Sequence, residues 1–219
     1  MKPTSIKKVN ELTSAKIQEY EELALKQGAT HTAPILAQEV IMDYRAYYKC
    51  IIPKCPYYNT NIHCPPFAPS FLDMEKLVNC YEAGILIGVK LPPTAVTGKG
   101  GKEKGKNALV SSEVVAGRLK IHEIVTRVEA RAFYDGFYFA TAFSGGSCKA
   151  AWCPDRPCQV LEAGKACRFP LRGRPCMEGV GMDVYRMASN AGWEIYPVGS
   201  CSKNEEVPHG MRVGLVLIQ

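Results

Sequence analysis

The chain has 219 residues, 47% of them hydrophobic, and a formal net charge of +6, which suits one globular domain over residues 1–219 with a core of its own. No apolar stretch follows the lysines of segment 1–12, and the longest apolar runs are far below the roughly 18 residues of a membrane span. Composition therefore argues against an export signal and a spanning helix, and we expect a soluble, cytoplasmic protein.

Periodicity along the chain predicts helices alternating with strands. Apolar side chains recur at helical spacing in Glu11–Gln27, Asp73–Tyr81, Val110–Ala132 and Val180–Ala191. Aliphatic or aromatic enrichment predicts strands at Gly84–Leu91, Phe137–Phe143, Trp193–Val198 and Arg212–Ile218. This alternation predicts the α/β class, a layered sheet with helices, but it does not predict the strand order.

Two segments interrupt this pattern, at residues 50–69 and 145–176, and both are rich in cysteine and proline. Proline removes a backbone donor and fixes φ, so we expect two irregular loops that emerge from the layered fold. A third segment, residues 97–107, alternates glycine with lysine. It predicts a flexible, solvated basic loop rather than a docking patch for an acidic partner, and nucleic-acid binding is not favoured.

Seven of the ten cysteines fall into two groups within these loops. The first group is Cys50, Cys55 and Cys64; the second is Cys148, Cys153, Cys158 and Cys167. Because cytoplasmic thiols are kept reduced, metal binding explains them better than disulfides. Three cysteines of the second group repeat the spacing of the first, which we interpret as chance or convergence because the flanking residues hardly match.

The spacing of the cysteines favours iron–sulfur chemistry over zinc. Structural zinc sites usually contain close pairs separated by two to four residues, whereas no Cys-x-x-Cys occurs here. Cys148, Cys153, Cys158 and Cys167 make a complete set of four thiolates for a [4Fe–4S] cluster. One or two such clusters are predicted as the cofactor, with zinc as the alternative.

The first group supplies only three thiols, and its fourth ligand stays open. Cys80, Cys176, Cys201 and His63 are candidates, each with an alternative role in packing. If none of them binds, one iron is left open to act as a Lewis acid. Around the second group, Gly145 and Gly146 would let backbone approach a cluster closely.

Three arginines follow the second group, at Arg168, Arg172 and Arg174. A tetrathiolate cluster carries negative charge, so nearby guanidinium groups would stabilise it and raise its potential. Binding of an anionic substrate or partner, and ordinary surface positions, are the alternatives for these side chains.

The segment from Cys50 through Cys64-Pro-Pro and the run Cys167-Arg-Phe-Pro to Met177-Glu178 resemble an uncharacterised family of predicted metal-binding proteins. These are small cysteine-rich proteins found mainly in anaerobic bacteria and archaea. The resemblance implies that the seven grouped cysteines correspond to the family's cysteines. Cys176 departs from the family pattern, which carries serine there, so the resemblance implies that Cys176 is not an essential ligand.

Three functions are compatible with these residues. The first is an iron–sulfur protein that passes electrons to a larger partner protein. The second is an enzyme with an open iron on the three-cysteine group, and the third is a zinc-stabilised interaction module. Neither a dinucleotide fingerprint nor a phosphate-binding loop is present, and the four histidines are scattered, so the sequence favours the first function and no particular reaction.

Overall fold

The computed structural model describes residues 11–96, 112–198 and 202–218. Its centre is an antiparallel sheet with the strand order β1-β2-β4-β3. The strands are β1 (His31–Leu36), β2 (Ala83–Leu91), β3 (Thr141–Phe143) and β4 (Gly210–Ile218). The helices are α1 (Glu11–Lys26), α2 (Tyr44–Tyr48), α3 (Phe71–Val78), α4 (Ser112–Tyr134), α5 (Cys148–Trp152), α6 (Gln159–Ala163) and α7 (Val184–Asn190). The predicted α/β class is confirmed.

The sheet is built around two long partners, β2 and β4, which pair along their whole length. Ala83 lies opposite Ile218 at one end and Leu91 lies opposite Gly210 at the other. Both strands are buried on both faces, which explains why their sequences are continuous apolar runs. β1 and β3 occupy the two edges of the sheet.

Alternate residues of β2 enter two different cores. Ile85 and Ile87 pack with α1 and α4 on one face, whereas Leu86 points to the other face, where methionines and Trp193 fill the space. α4 crosses β4 so closely that a Cβ on Gly214 would meet Val125 Cγ1 at 2.5 Å. Helices therefore cover one face of the sheet tightly, and the cysteine-rich loops adjoin the opposite core.

The predicted strand Phe137–Phe143 is wrong in its first half. The chain reverses after α4 at Gly136, which has φ +101°, and the Phe137 N–H donates back to Ala132 O at 3.0 Å. Phe137 is buried edge-on against Tyr20. The aromatic residues that suggested a strand therefore belong to a helix-terminating turn, and pairing begins only at Thr141.

The predicted strand Trp193–Val198 does not form. Trp193 lies over the sheet, where a Cβ on Gly88 would meet its ring at 2.9 Å, and its ring contacts that of His31. The segment thus crosses the face of the sheet and joins neither edge. The aromatic enrichment that predicted a strand here reflects packing onto the sheet.

Other predictions fall outside the described residues or change in extent. The basic segment 97–107 and Cys201 are not among the described residues. The predicted helix Val180–Ala191 is shorter, because Gly181 has φ +93° and α7 begins only at Val184. Within the described ranges, no helix is both long enough and apolar enough to cross a bilayer.

His122 of α4 is fully buried at the contact with α5, edge-on to Trp152. Burial lowers the pKa of His122 to about 3, and the weaker effect of the Gly146 backbone acts in the opposite direction. The unfolded chain, with a histidine pKa of about 6.5, binds a proton as the pH falls, whereas the folded protein does not. Lowering the pH from 6.5 to 5 should therefore reduce the free energy of unfolding of wild type by about 2 kcal/mol more than that of His122→Phe.

Denaturant unfolding of both proteins at several pH values measures this difference. Above pH 7, His122 is neutral in both the folded and the unfolded chain, so the free energies of unfolding of the two proteins should change in parallel. Equal losses below pH 6.5 would show that His122 does become charged in the folded protein.

Candidate metal centre

The second cysteine-rich loop follows β3 directly, and it meets the first loop beyond the end of that strand. Ser144 pairs in parallel with Cys176, and its N–H donates to Pro175 O at 2.8 Å. Gly145 also packs directly against β4, because a Cβ on Gly145 would lie only 2.7 Å from Val213 O. Gly145 therefore serves the contact with the sheet, which is a different role from the predicted approach to a cluster.

Eight cysteines gather around two neighbouring cavities. The first cavity, of about 230 Å³, is lined among other residues by Cys50, Cys55, Cys64 and Cys176. The second cavity, of about 30 Å³, is lined among other residues by Cys148, Cys153, Cys158 and Cys167. We call these two sets of four thiols the first and second cysteine sites. All seven cysteines singled out in the sequence are divided between the two sites.

Cys176 occupies the position that the sequence left open in the first site. It is buried, and a hydrogen bond joins its side chain to that of Cys64. Cys80, by contrast, is exposed, lines neither cavity and donates to Lys76 O at 3.4 Å. The location of Cys176 argues against the expectation that it is dispensable.

The thiols influence one another's pKa both within each site and between the two sites. Burial, and then the charges of Cys55 and Cys64, raise the pKa of Cys50 to about 12. Burial also raises the pKa of Cys148, and Cys64 of the first site, followed by the other three thiols of the second site, adds to the effect. In contrast, hydrogen bonds from Cys176 and Ser147 lower the pKa of Cys64. Metal binding must displace protons from most of these thiols.

Backbone and side-chain groups already direct hydrogen bonds to the sulfur atoms. The Gly179 N–H donates to Cys176 Sγ at 3.2 Å, and the Phe169 N–H donates to Cys167 Sγ at 3.4 Å. Such donors hold thiolate ligands in place and tune the group that they bind. Four thiols around one cavity, with donors directed at the sulfurs, fit a thiolate-bound metal or cluster.

The thiols of each site surround a space and do not meet at one point. Among the described residues, no three histidine, cysteine, aspartate or glutamate side chains stand close enough together to hold a single metal ion.

A family model described as a predicted metal-binding protein, DUF2284, matches residues 33–218. The chain belongs to the DUF2284 family. The match includes both cysteine-rich loops and all four strands except the first two residues of β1. No curated protein and no solved structure matches the chain. The family shows that this is a predicted metal-binding protein with many cysteines, and the identity of the metal is not given by it.

His63 of this DUF2284 chain serves the second site and not the first. Its Nδ1 lies 3.1 Å from Cys148 Sγ, and burial, with a smaller contribution from Arg174, lowers the pKa of His63 to about 4. A neutral imidazole at this distance donates an N–H to the sulfur in the appropriate tautomer. The predicted alternatives, a metal ligand or a packing residue, are thus replaced by a hydrogen-bond partner of a candidate ligand.

The three arginines have separate roles. Arg174 pairs with Glu129 of α4, and Arg172 lies over the Trp152 ring at 5.4 Å. Arg168 lines the second cavity and donates to Pro157 O at 2.6 Å. Only Arg168 is therefore placed to compensate negative charge at the second site, and the predicted shared role of all three is not what the contacts show.

Sequence patterns gave no sign of the polar residues between the two sites. Asn61 is fully buried, and its Nδ2 donates to Ser147 Oγ at 3.2 Å. Asn61 Oδ1 accepts from Cys148 Sγ at 3.3 Å, and Cys64 Sγ lies 3.3 Å from Ser147 Oγ. A continuous hydrogen-bonded chain, Cys64–Ser147–Asn61–Cys148, thus joins the first site to the second. We call it the bridging chain.

Proposed function

We propose that this protein holds two [4Fe–4S] clusters, one at each cysteine site, and passes electrons to and from a larger partner protein. The observation that carries the proposal is the adjacency of two sets of four thiols, joined by the bridging chain. Four thiolates are the usual ligand set of a cubane cluster, which supplies one-electron redox chemistry when bound. Two clusters side by side form a relay.

The position of Cys176 favours electron transfer over the open-iron enzyme. A fourth thiol beside Cys64 completes the first site, and no iron then remains open to a substrate. The sequence contains no Cys-x-x-Cys pair, and eight residues separate the last two cysteines of each group. This spacing supports clusters over zinc, whose structural sites usually contain two close pairs.

The chain's own groups would protect and tune the clusters. Cys64 and Cys176 of the first site are buried. Backbone N–H groups donate to one sulfur at each site, and the Ser147 hydroxyl lies within reach of Cys64 Sγ. Donors to sulfur stabilise the more negative, reduced state. A partner protein could approach through the second loop, since Cys153, Cys158 and Cys167 are only half-buried.

Metal and sulfide analysis of protein purified without oxygen tests the proposal. Two clusters require about eight irons and about eight acid-labile sulfides per chain, together with a visible absorption band that dithionite bleaches reversibly. Stoichiometric zinc without labile sulfide would instead establish the zinc-stabilised interaction module. About four irons per chain would reduce the proposal to one cluster and remove the relay.

Ser147→Ala should lower the potential of the first cluster, because the variant removes a hydroxyl hydrogen bond from Cys64 Sγ. We expect a shift of about 50 mV, slightly less than a tenfold change in a one-electron equilibrium. Redox titration followed by electron paramagnetic resonance measures the shift.

Ser70→Ala is the matched control. Ser147 and Ser70 each cap a helix, and the hydroxyl of each accepts a backbone N–H, so each variant should lose about 1 kcal/mol of stability. Only Ser147→Ala should change a potential. A shift of equal size in both variants would point to a general loosening of the fold.

A further inference from the structure

A third cavity adjoins the first cysteine site, and none of the described residues that line it is a cysteine. It measures about 210 Å³, and its walls include Tyr185, Ile195, Tyr196 and Val213. Two side chains, Arg212 and Glu178, line both this cavity and the first cysteine site. These two side chains would therefore stand between a ligand in the third cavity and the first cysteine site.

Arg212 extends from β4 towards the cysteine loops, where a Cβ on Gly146 would lie 3.0 Å from its Nη1. Its Nε is buried and has no hydrogen-bond partner in the part of the chain that the structure describes. Among the described residues, no carboxylate lies within 4 Å of its guanidinium. Glu178 attracts this guanidinium electrostatically but forms no ion pair with it. A buried guanidinium whose Nε lacks a hydrogen-bond partner is costly, so a ligand anion in the cavity would complete it.

The surroundings of Arg212 make the missing anion a small organic acid. Arg118, which lines the first cavity, adds a second positive charge nearby. Val184, Ile195 and Val213 offer apolar surface for a short carbon chain. A volume of about 210 Å³ is below the usual range for drug-sized ligands, which restricts the ligand to a few heavy atoms.

Glu178 adds a requirement for a hydrogen-bond donor. Its side chain faces the same cavity and makes no ion pair among the described residues. The backbone N–H of Glu178 already donates to its own carboxylate. A simple carboxylate ligand would meet Arg212 favourably but would offer no donor to the remaining acceptor positions of Glu178. A hydroxyl or amino group beside the carboxylate satisfies both side chains at once.

We propose that the third cavity binds a small carboxylate with an adjacent O–H or N–H donor, the chemistry of α-hydroxy and α-amino acids. Arg212 binds the carboxylate through its planar pair of donors, and Glu178 accepts from the neighbouring group. The proposal goes beyond electron transfer to a partner protein, and it does not depend on which metal the cysteine sites hold.

Isothermal titration of the metal-loaded protein with three probes of equal carbon number tests this assignment. Lactate carries a hydroxyl, alanine an amino group, and propionate neither. We expect saturable binding of lactate or of alanine, at least tenfold tighter than that of propionate, and whichever binds identifies the donor. Absence of binding by all three up to about 10 mM, which corresponds to less than about 3 kcal/mol, would overturn the proposal. Equal binding of propionate would overturn the role of Glu178.

Variants of Arg212 test its role in ligand binding. Arg212→Gln should abolish binding, and Arg212→Lys should weaken it because lysine lacks the planar fork. Ligand-free Arg212→Gln should melt no lower than wild type, so that a loss of binding does not reflect unfolding. Arg127→Gln, which removes an exposed arginine from α4, is the matched control. An equal loss of binding in Arg127→Gln would contradict a specific role for Arg212.

Discussion

Cys176→Ser should lose about half of the bound iron and labile sulfide, because the variant removes the fourth thiol from the first cysteine site. Serine keeps the shape of the side chain, but its hydroxyl stays protonated at neutral pH and is a poor ligand for iron. The second site draws its four thiols from Cys148 to Cys167 and should stay loaded. Iron and sulfide determination, with electron paramagnetic resonance of the reduced protein, distinguishes the two sites.

Cys80→Ser is the matched control for this experiment. Cys80 is exposed at the end of α3 and donates only to Lys76 O, so its removal should leave the cofactor content at the level of wild type. Full iron content in Cys176→Ser would mean that three cysteines suffice at the first site, and would restore the open-iron enzyme as the leading function.

Glu129→Gln should destabilise the protein by about 2–3 kcal/mol, somewhat below the usual cost of breaking a buried ion pair because both partners retain slight exposure. The Glu129 carboxylate accepts from the Ala142 N–H on the outer edge of β3 at 2.8 Å. It also binds Arg174, which in turn donates to Pro170 O and Gly173 O at 3.1 and 2.7 Å. One carboxylate therefore holds both the edge strand and the second loop.

Thermal unfolding measures the expected loss as a fall in Tm of about 4–12 °C, from the usual conversion for a chain of this size. Glu123→Gln removes an exposed carboxylate from the same helix and should change Tm by less than about 2 °C. The second site should also lose metal faster to a chelator in Glu129→Gln. If Glu129→Gln had the Tm of wild type, the attraction between Glu129 and Arg174 would be cancelled by the cost of removing both charges from water.

The second cysteine site could be predicted from the sequence because its four ligands lie close together in the chain, between Cys148 and Cys167. The first site could be predicted only in part. Cys176 belongs to the other loop, and it reaches Cys64 only because Ser144 pairs beside it at the end of β3. Such a contact depends on tertiary structure, which local spacing does not record.

The strands show the same division between local and tertiary information. β2 and β4 were predictable because continuous apolar runs are typical of strands buried on both faces. Trp193 and Phe137 misled the prediction, since aromatic residues also pack onto a sheet or end a helix. Asn61, Ser147 and Arg212 carried no pattern at all, because a buried polar residue is recognised only by what surrounds it.

Each cysteine site uses residues from both loops, and this has a consequence for how the metal is inserted. The first site needs a thiol from position 176, and the second site needs Asn61 and His63 from the opposite loop. A nascent chain that has left the ribosome only as far as α5 possesses neither complete site. If the sites hold the proposed clusters, delivery of iron and sulfide should follow release of the chain beyond position 176, and a shorter translation product should remain colourless.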